Sequence, residues 1–127
     1  MTNQCIFCNK TIQKIIHKSD LFFVVRDSYP VTSLHTLIIP HRHVSNFFDL
    51  NTNELKDLNI LLKKQRNLLL KLDKKITGFN VGVNAGKDAG QSIMHCHIHL
   101  IPRRKGDIKN PRGGVRGVIP SKQKYLK

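Results

Sequence analysis

The chain has 127 residues, the size of one ordinary domain and enough to bury a core without disulfide staples. Apolar residues make up 39% of it, and no apolar run approaches the roughly 18 residues of a membrane-spanning helix, so the expectation is a soluble protein. Twenty-two Lys and Arg against eight Asp and Glu give +14, which favours anionic partners, phosphates foremost, and their fast electrostatic capture.

Met1-Thr2-Asn3-Gln4-Cys5 lacks the basic start, apolar stretch and cleavage site of a secretory leader, which predicts a cytoplasmic home. Three cysteines cannot all pair, and Cys5-x-x-Cys8 has a spacing that closes around a metal or as a redox disulfide. Residues 21–26 are bulky and apolar and end in Asp27-Ser28-Tyr29-Pro30, the pattern of a buried strand followed by a turn. Residues 34–40 form a second strand, rich in branched side chains, ending at Pro40 and carrying His35 as its only ionisable group.

Residues 51–75 space Leu55, Leu58, Leu62, Leu69 and Leu72 near the helical period, with Asn51 or Asn53 as cap. This is the one long helix, its leucine stripe serving the core or a dimer surface. Residues 77–84 alternate Phe79, Val81 and Val83 with small side chains, a strand that leaves Asn84 at its end. A Gly-containing loop covers 85–92, and 93–101 is the last strand, stopped by Pro102. Beyond it, 103–127 is a basic, partly ordered extension to a domain spanning 1–102. Strands outnumber the helix, so the fold class is α+β, a single domain with an antiparallel sheet and one long helix.

Side chains two apart on a strand share a face, so His95, His97 and His99 form one row while Met94, Cys96, Ile98 and Leu100 face the core. Three imidazoles in strict alternation demand a functional cause. Same-face His-x-His presents ligands to zinc; a neutral imidazole held by a hydrogen bond at its other nitrogen is a nucleophile. Alternation alone does not separate the two.

The segment Gly90-Gln91-Ser92-Ile93-Met94-His95-Cys96-His97-Ile98-His99-Leu100-Ile101-Pro102 resembles the signature of the histidine triad (HIT) superfamily. Leu34-His35-Thr36-Leu37-Ile38-Ile39-Pro40-His41-Arg42-His43 is similar to a second segment of that family, with Leu34 for the usual glycine and His41 for the usual lysine. Cys5-Ile6-Phe7-Cys8 resembles its zinc-bearing N-terminal form, in the branch like bacterial diadenosine polyphosphate hydrolases.

The resemblance implies a nucleoside phosphate hydrolase or transferase in which His97 attacks the α-phosphorus and forms a nucleotidyl intermediate. It further implies that His99 contacts the phosphate or leaving group, His35 flanks the phosphate, and Asn84, Gln91 and Ser92 donate to its oxygens. Phe7 would lie against the base, or in the core, and Asp27 would accept from the ribose hydroxyls, or simply open its turn. Cys5, Cys8, His43 and His95 can close a structural Zn2+ site, leaving His97 free. The resemblance also implies a homodimer paired through the helix and a strand. Two rivals stand beside this reading. A nucleic-acid-binding module is disfavoured by an aromatic content of 6% with no Trp, and zinc-dependent hydrolysis would use the three histidines as ligands.

Overall fold

The computed structural model describes residues 5–125; the first four residues, on which the leader expectation rests, and the last two of the basic extension lie outside the described residues. Five strands form one antiparallel sheet: β1 His17–Lys18, β2 Phe22–Arg26, β3 Thr36–Pro40, β4 Ile76–Gly82 and β5 Ile98–Arg104, in the order β1-β2-β3-β5-β4. One helix, α1 Thr52–Leu72, covers one face. The α+β expectation of one sheet and one long helix is the observed architecture. No helix among the described residues is long and apolar enough to cross a membrane.

Continuous apolar runs in β2 and β3 are explained by burial on both faces. Phe22, Val24, Ile38 and Ile98 pack under α1 with Leu58 and Leu61, while Phe23, Val25, Leu37 and Ile39 pack on the opposite face with Phe7. Asn51 caps the helix: its side chain accepts from the Glu54 N–H, and the Glu54 carboxylate accepts from the Asn51 N–H.

The helix buries a stripe offset from the leucine pattern. Leu58 and Leu69 face the core as expected, but Leu55 and Leu72 are exposed, and Leu61, Glu54 and Gln65 complete the buried stripe. Two polar members hid its true centre. Glu54 can sit there because Arg42 grips it with two guanidinium hydrogen bonds of 2.7 and 3.1 Å.

The last strand also differs from expectation. It begins at Ile98, not 93, and passes through Pro102 to Arg104. Residues 93–97 are held by single bonds instead of a ladder, the Cys96 N–H donating to the Val44 carbonyl at 2.7 Å. Met94, expected in the core, is exposed, while His95, expected on the polar row, is fully buried. Pro102 is tolerated because pairing with β3 ends at Thr36 and Leu100; the Pro102 carbonyl instead accepts from the Thr32 hydroxyl at 2.6 Å. Leu34, in the place of the family's glycine, has a left-handed φ of 72°, the conformation for which glycine is the default.

β4 ends at Gly82, two residues before Asn84. The extension continues beyond Arg104 as short turns at Gly114–Val118 and Pro120–Lys122, the first packed against β4. Asp107 anchors its start, accepting two bonds of 2.8 Å from Arg103, which holds the Asp107 carboxyl well below the usual carboxylate range. Arg116 lies over the Tyr125 ring at 4.6 Å.

Candidate functional site

The sheet face opposite α1 carries a cavity of about 760 Å³, floored by Val25, Leu37 and Phe7 and reached by Asp27, His97 and His99. Register explains the grouping. Leu37 stands opposite both Val25 and His99, so Asp27 and His35, the residues just beyond the ends of β2 and β3, come next to one another, with His35 diagonal to His99 of β5.

Backbone groups fix which nitrogen of each imidazole carries the proton. His95 is fully buried, and its Nε2–H donates to the Pro40 carbonyl at 2.8 Å, which leaves a lone pair on Nδ1. His97 donates from Nδ1–H to the His95 carbonyl at 2.9 Å, which leaves the lone pair on Nε2. His35 Nδ1 accepts the Val31 N–H at 3.0 Å, so its proton sits on Nε2, which lies 2.9 Å from His99 Nδ1 and 3.4 Å from an Asp27 carboxylate oxygen.

Burial, with the neighbouring charges of His97 and His35 adding to it, pushes His99 down to about 4, so the ring is neutral at physiological pH. Burial likewise lowers His35, opposed by the Asp27 carboxylate. Cys96 points into the core, and burial pushes its thiol up to about 11, which makes it inert.

The histidine row does not converge on one ion. His95 turns away from His97 and His99 to join Cys5, Cys8 and His43, whose ligand atoms all lie within 4.8 Å of one another. His43 Nδ1 and His95 Nδ1 are 3.0 Å apart, Cys8 Sγ is 3.2 Å from His43 Nδ1, and Cys5 Sγ is 3.4 Å from His95 Nδ1. Tetrahedral zinc at ordinary bond lengths separates its ligand atoms by about 3.3–3.8 Å, so this donor set fits a closed Cys₂His₂ site. The Pro40 carbonyl, bonded to the other ring nitrogen of His95, fixes the orientation that such a histidine needs.

Asn84 and Ser92 line the cavity beside His97 and His99. Gln91 is placed differently from expectation. Its side-chain amide donates to the Ser45 and Ile93 carbonyls and accepts the Gly86 N–H at 2.8 Å, so it is a buried latch for the loop and offers nothing to the cavity. Phe7 is a core residue, one of its two expected places, and it also lines the cavity, its ring centroid 5.2 Å from that of His97. Asp27 opens its turn, accepting the Tyr29 N–H, and also faces the cavity. Sequence reasoning missed the orienting groups, because the Val31 N–H and the Pro40 carbonyl are main chain and leave no residue-type signal. Val25 and Leu37 could have been found as the strand positions that share a face with Asp27 and His35.

The HIT domain family matches residues 9–106. An HIT-like protein of Mycoplasma genitalium is 36% identical over 106 residues, 80% of this chain and 74% of that protein. The asymmetrical bis(5′-nucleosyl)-tetraphosphatase of Schizosaccharomyces pombe is 33% identical over 95 residues, covering 75% of this chain and 52% of the enzyme. The crystal structure of a zinc-bound histidine triad family protein from Mycobacterium smegmatis superposes with a TM-score of 0.75 at 28% identity, over 82% of this chain and 78% of that one. By the match of the family model to residues 9–106 and the 36% identity to a relative covered over 74% of its length, the chain belongs to the HIT domain family.

Proposed function

We propose that the protein is a nucleoside phosphate hydrolase acting at the α-phosphate of dinucleoside polyphosphate-like substrates through a covalent nucleotidyl intermediate on His97. The observation that carries this reading is the state of His97: its Nδ1–H is held by the His95 carbonyl, so the Nε2 lone pair is available at the cavity. Similarity to a tetraphosphatase supports the substrate class. Phosphoramidate hydrolysis and nucleotidyl transfer begin with the same step and are the alternatives within the family.

In this reading the nucleoside enters against Phe7, Val25 and Leu37, its ribose hydroxyls donate to Asp27, and the phosphate meets Asn84, Ser92 and His99. His97 Nε2 bonds to phosphorus as the bond to the leaving group breaks; water then releases the nucleoside monophosphate. Zn2+ held by Cys5, Cys8, His43 and His95 would tie the N-terminal segment to the catalytic one and has no part in bond breaking. We place the protein in the cytoplasm as a homodimer, for which the β4 sheet edge and the exposed Leu68 and Leu72 of α1 supply a surface.

Intact-mass measurement after acid-free quenching tests the mechanism. Wild type mixed with diadenosine tetraphosphate is expected to gain the mass of an adenylyl group, and His97→Ala to stay folded, bind nucleotide and gain nothing. Turnover by His97→Ala at the wild-type rate would exclude the covalent route.

A further inference from the structure

Asp27, His35 and His99 bring three ligand-type atoms within 4.8 Å of one another and invite a second metal site. The main chain argues against one. The Val31 N–H occupies His35 Nδ1, so His35 Nε2 carries the proton and has no lone pair for an ion. Both neighbours of that Nε2–H, the Asp27 carboxylate and His99 Nδ1, are acceptors, as a donor there requires.

Resting on the reaction proposed above, we infer that His99 acts in it as a neutral imidazole, donating a hydrogen bond from Nε2–H without giving up a proton, and that His35 is the positioning residue that enforces this state. An imidazolium at His99 would carry a proton on Nδ1, facing the Nε2–H of His35 at 2.9 Å. Relieving that clash would strip His35 of its last proton, because its Nδ1 is already committed to accepting. The chain from Val31 through His35 to His99 therefore has one consistent arrangement, and it ends in a donor aimed at the cavity. The tied loop keeps the first link in place: the Asp27 N–H donates to the His35 carbonyl at 2.9 Å and the His35 N–H to the Thr32 carbonyl at 3.1 Å.

A neutral imidazole stabilises charge but is too weak an acid to protonate a leaving group. When the His97–phosphorus bond forms, the electron pair of the breaking bond departs on the leaving atom, and His99 keeps its proton. The substrates served are those whose leaving group is stable as an anion, such as the phosphate oxygen of a phosphoric anhydride. An amine leaving group must arrive already protonated or take its proton from solvent.

Three measurements on the full chain test this. Long-range proton–nitrogen correlation spectra of histidine-labelled wild type at neutral pH should show His99 protonated at Nε2 only, and His35→Leu should lose that single tautomer. A protonated Nδ1 at His99 in wild type overturns the inference. With adenosine 5′-monophosphate aryl esters, the rate of adduct formation should fall steeply as the leaving phenol becomes more basic; a rate indifferent to leaving-group basicity means that His99 delivers a proton, and the inference fails. His35→Leu should lower kcat about 10- to 100-fold with KM little changed. His35→Gln, which keeps a donor near the Nε2 position, should recover much of the loss; equal loss in both variants would reduce His35 to a packing role. Absence of any adduct with every ester would instead defeat the covalent reaction itself, so the two failures are distinguishable.

Discussion

Main-chain groups set the tautomers of His95, His97 and His35 directly, and that of His99 through His35. The Pro40 carbonyl leaves His95 Nδ1 open toward Cys5, Cys8 and His43, the His95 carbonyl leaves His97 Nε2 open, and the Val31 N–H, through His35, sets the tautomer of His99; in the proposed function these are the states of a ligand, a nucleophile and a donor. Identical side chains within five residues thus stand in three different hydrogen-bonding states, which the proposed function assigns to three tasks. Gln91 shows the converse, a side chain spent wholly on main-chain groups. Gln91→Ala leaves the Gly86 N–H and two carbonyls without that partner, and is expected to cost about 2 kcal/mol in urea unfolding. It should also raise KM through displacement of Ser92. Were Gln91 a phosphate donor, the same variant would lose kcat at unchanged stability. Motif residues suggest their chemistry in sequence, and with the family resemblance the set Cys5, Cys8, His43 and His95 was legible as one group, which the fold brings together. The tautomers were not, since they depend on carbonyls that any residue could supply.

At the level of elements, the strands over residues 21–26 and 34–40 were legible because double-sided burial writes an unbroken apolar run. The segment 93–97 was misleading for a physical reason. It alternates like a strand, yet the Cys96 bond to Val44 and the turned-in His95 replace a ladder, and alternation records burial whether or not a strand forms. The helix start was readable from Asn51, while its buried stripe was not, because Glu54 and Gln65 occupy apolar positions. Arg42 links that helix start to the segment bearing His43, so the cap and His43 share one support. Asn51→Ala is expected to lower stability by about 1 kcal/mol, read as a shift in the urea midpoint at constant m. Steady-state kcat should be unaffected, since the helix reaches the cavity only through the sheet. A fall in kcat of more than about twofold would place the helix start in direct communication with the site.

For the whole molecule, the decisive organiser is the cluster that joins Cys5 to His95 across 90 residues of chain. Phe7, a wall of the cavity, sits between the two cysteines, so whatever closes the cluster also sets that wall. Few apolar contacts otherwise retain the N-terminal segment: Ile6 and Ile12 are exposed, and Phe7 is its main anchor in the core. A metal bound only by the folded chain stabilises it by mass action, and at 1,000 times its dissociation constant contributes about 4 kcal/mol. For a domain of this size each kcal/mol corresponds to roughly 4 °C of melting temperature. Stripping wild type with a strong chelator should therefore lower Tm by roughly 10–20 °C. Cys8→Ser should melt near the stripped value and ignore the chelator, and zinc returned to stripped wild type should restore the original Tm. The catalytic step separates from this effect: stripped protein held well below its new Tm should still form the His97 adduct, with KM raised because the Phe7 wall is loosened. Loss of adduct formation on stripping, with the fold intact, would show that the metal takes part in the chemistry and that the division of labour between His95 and His97 is wrong.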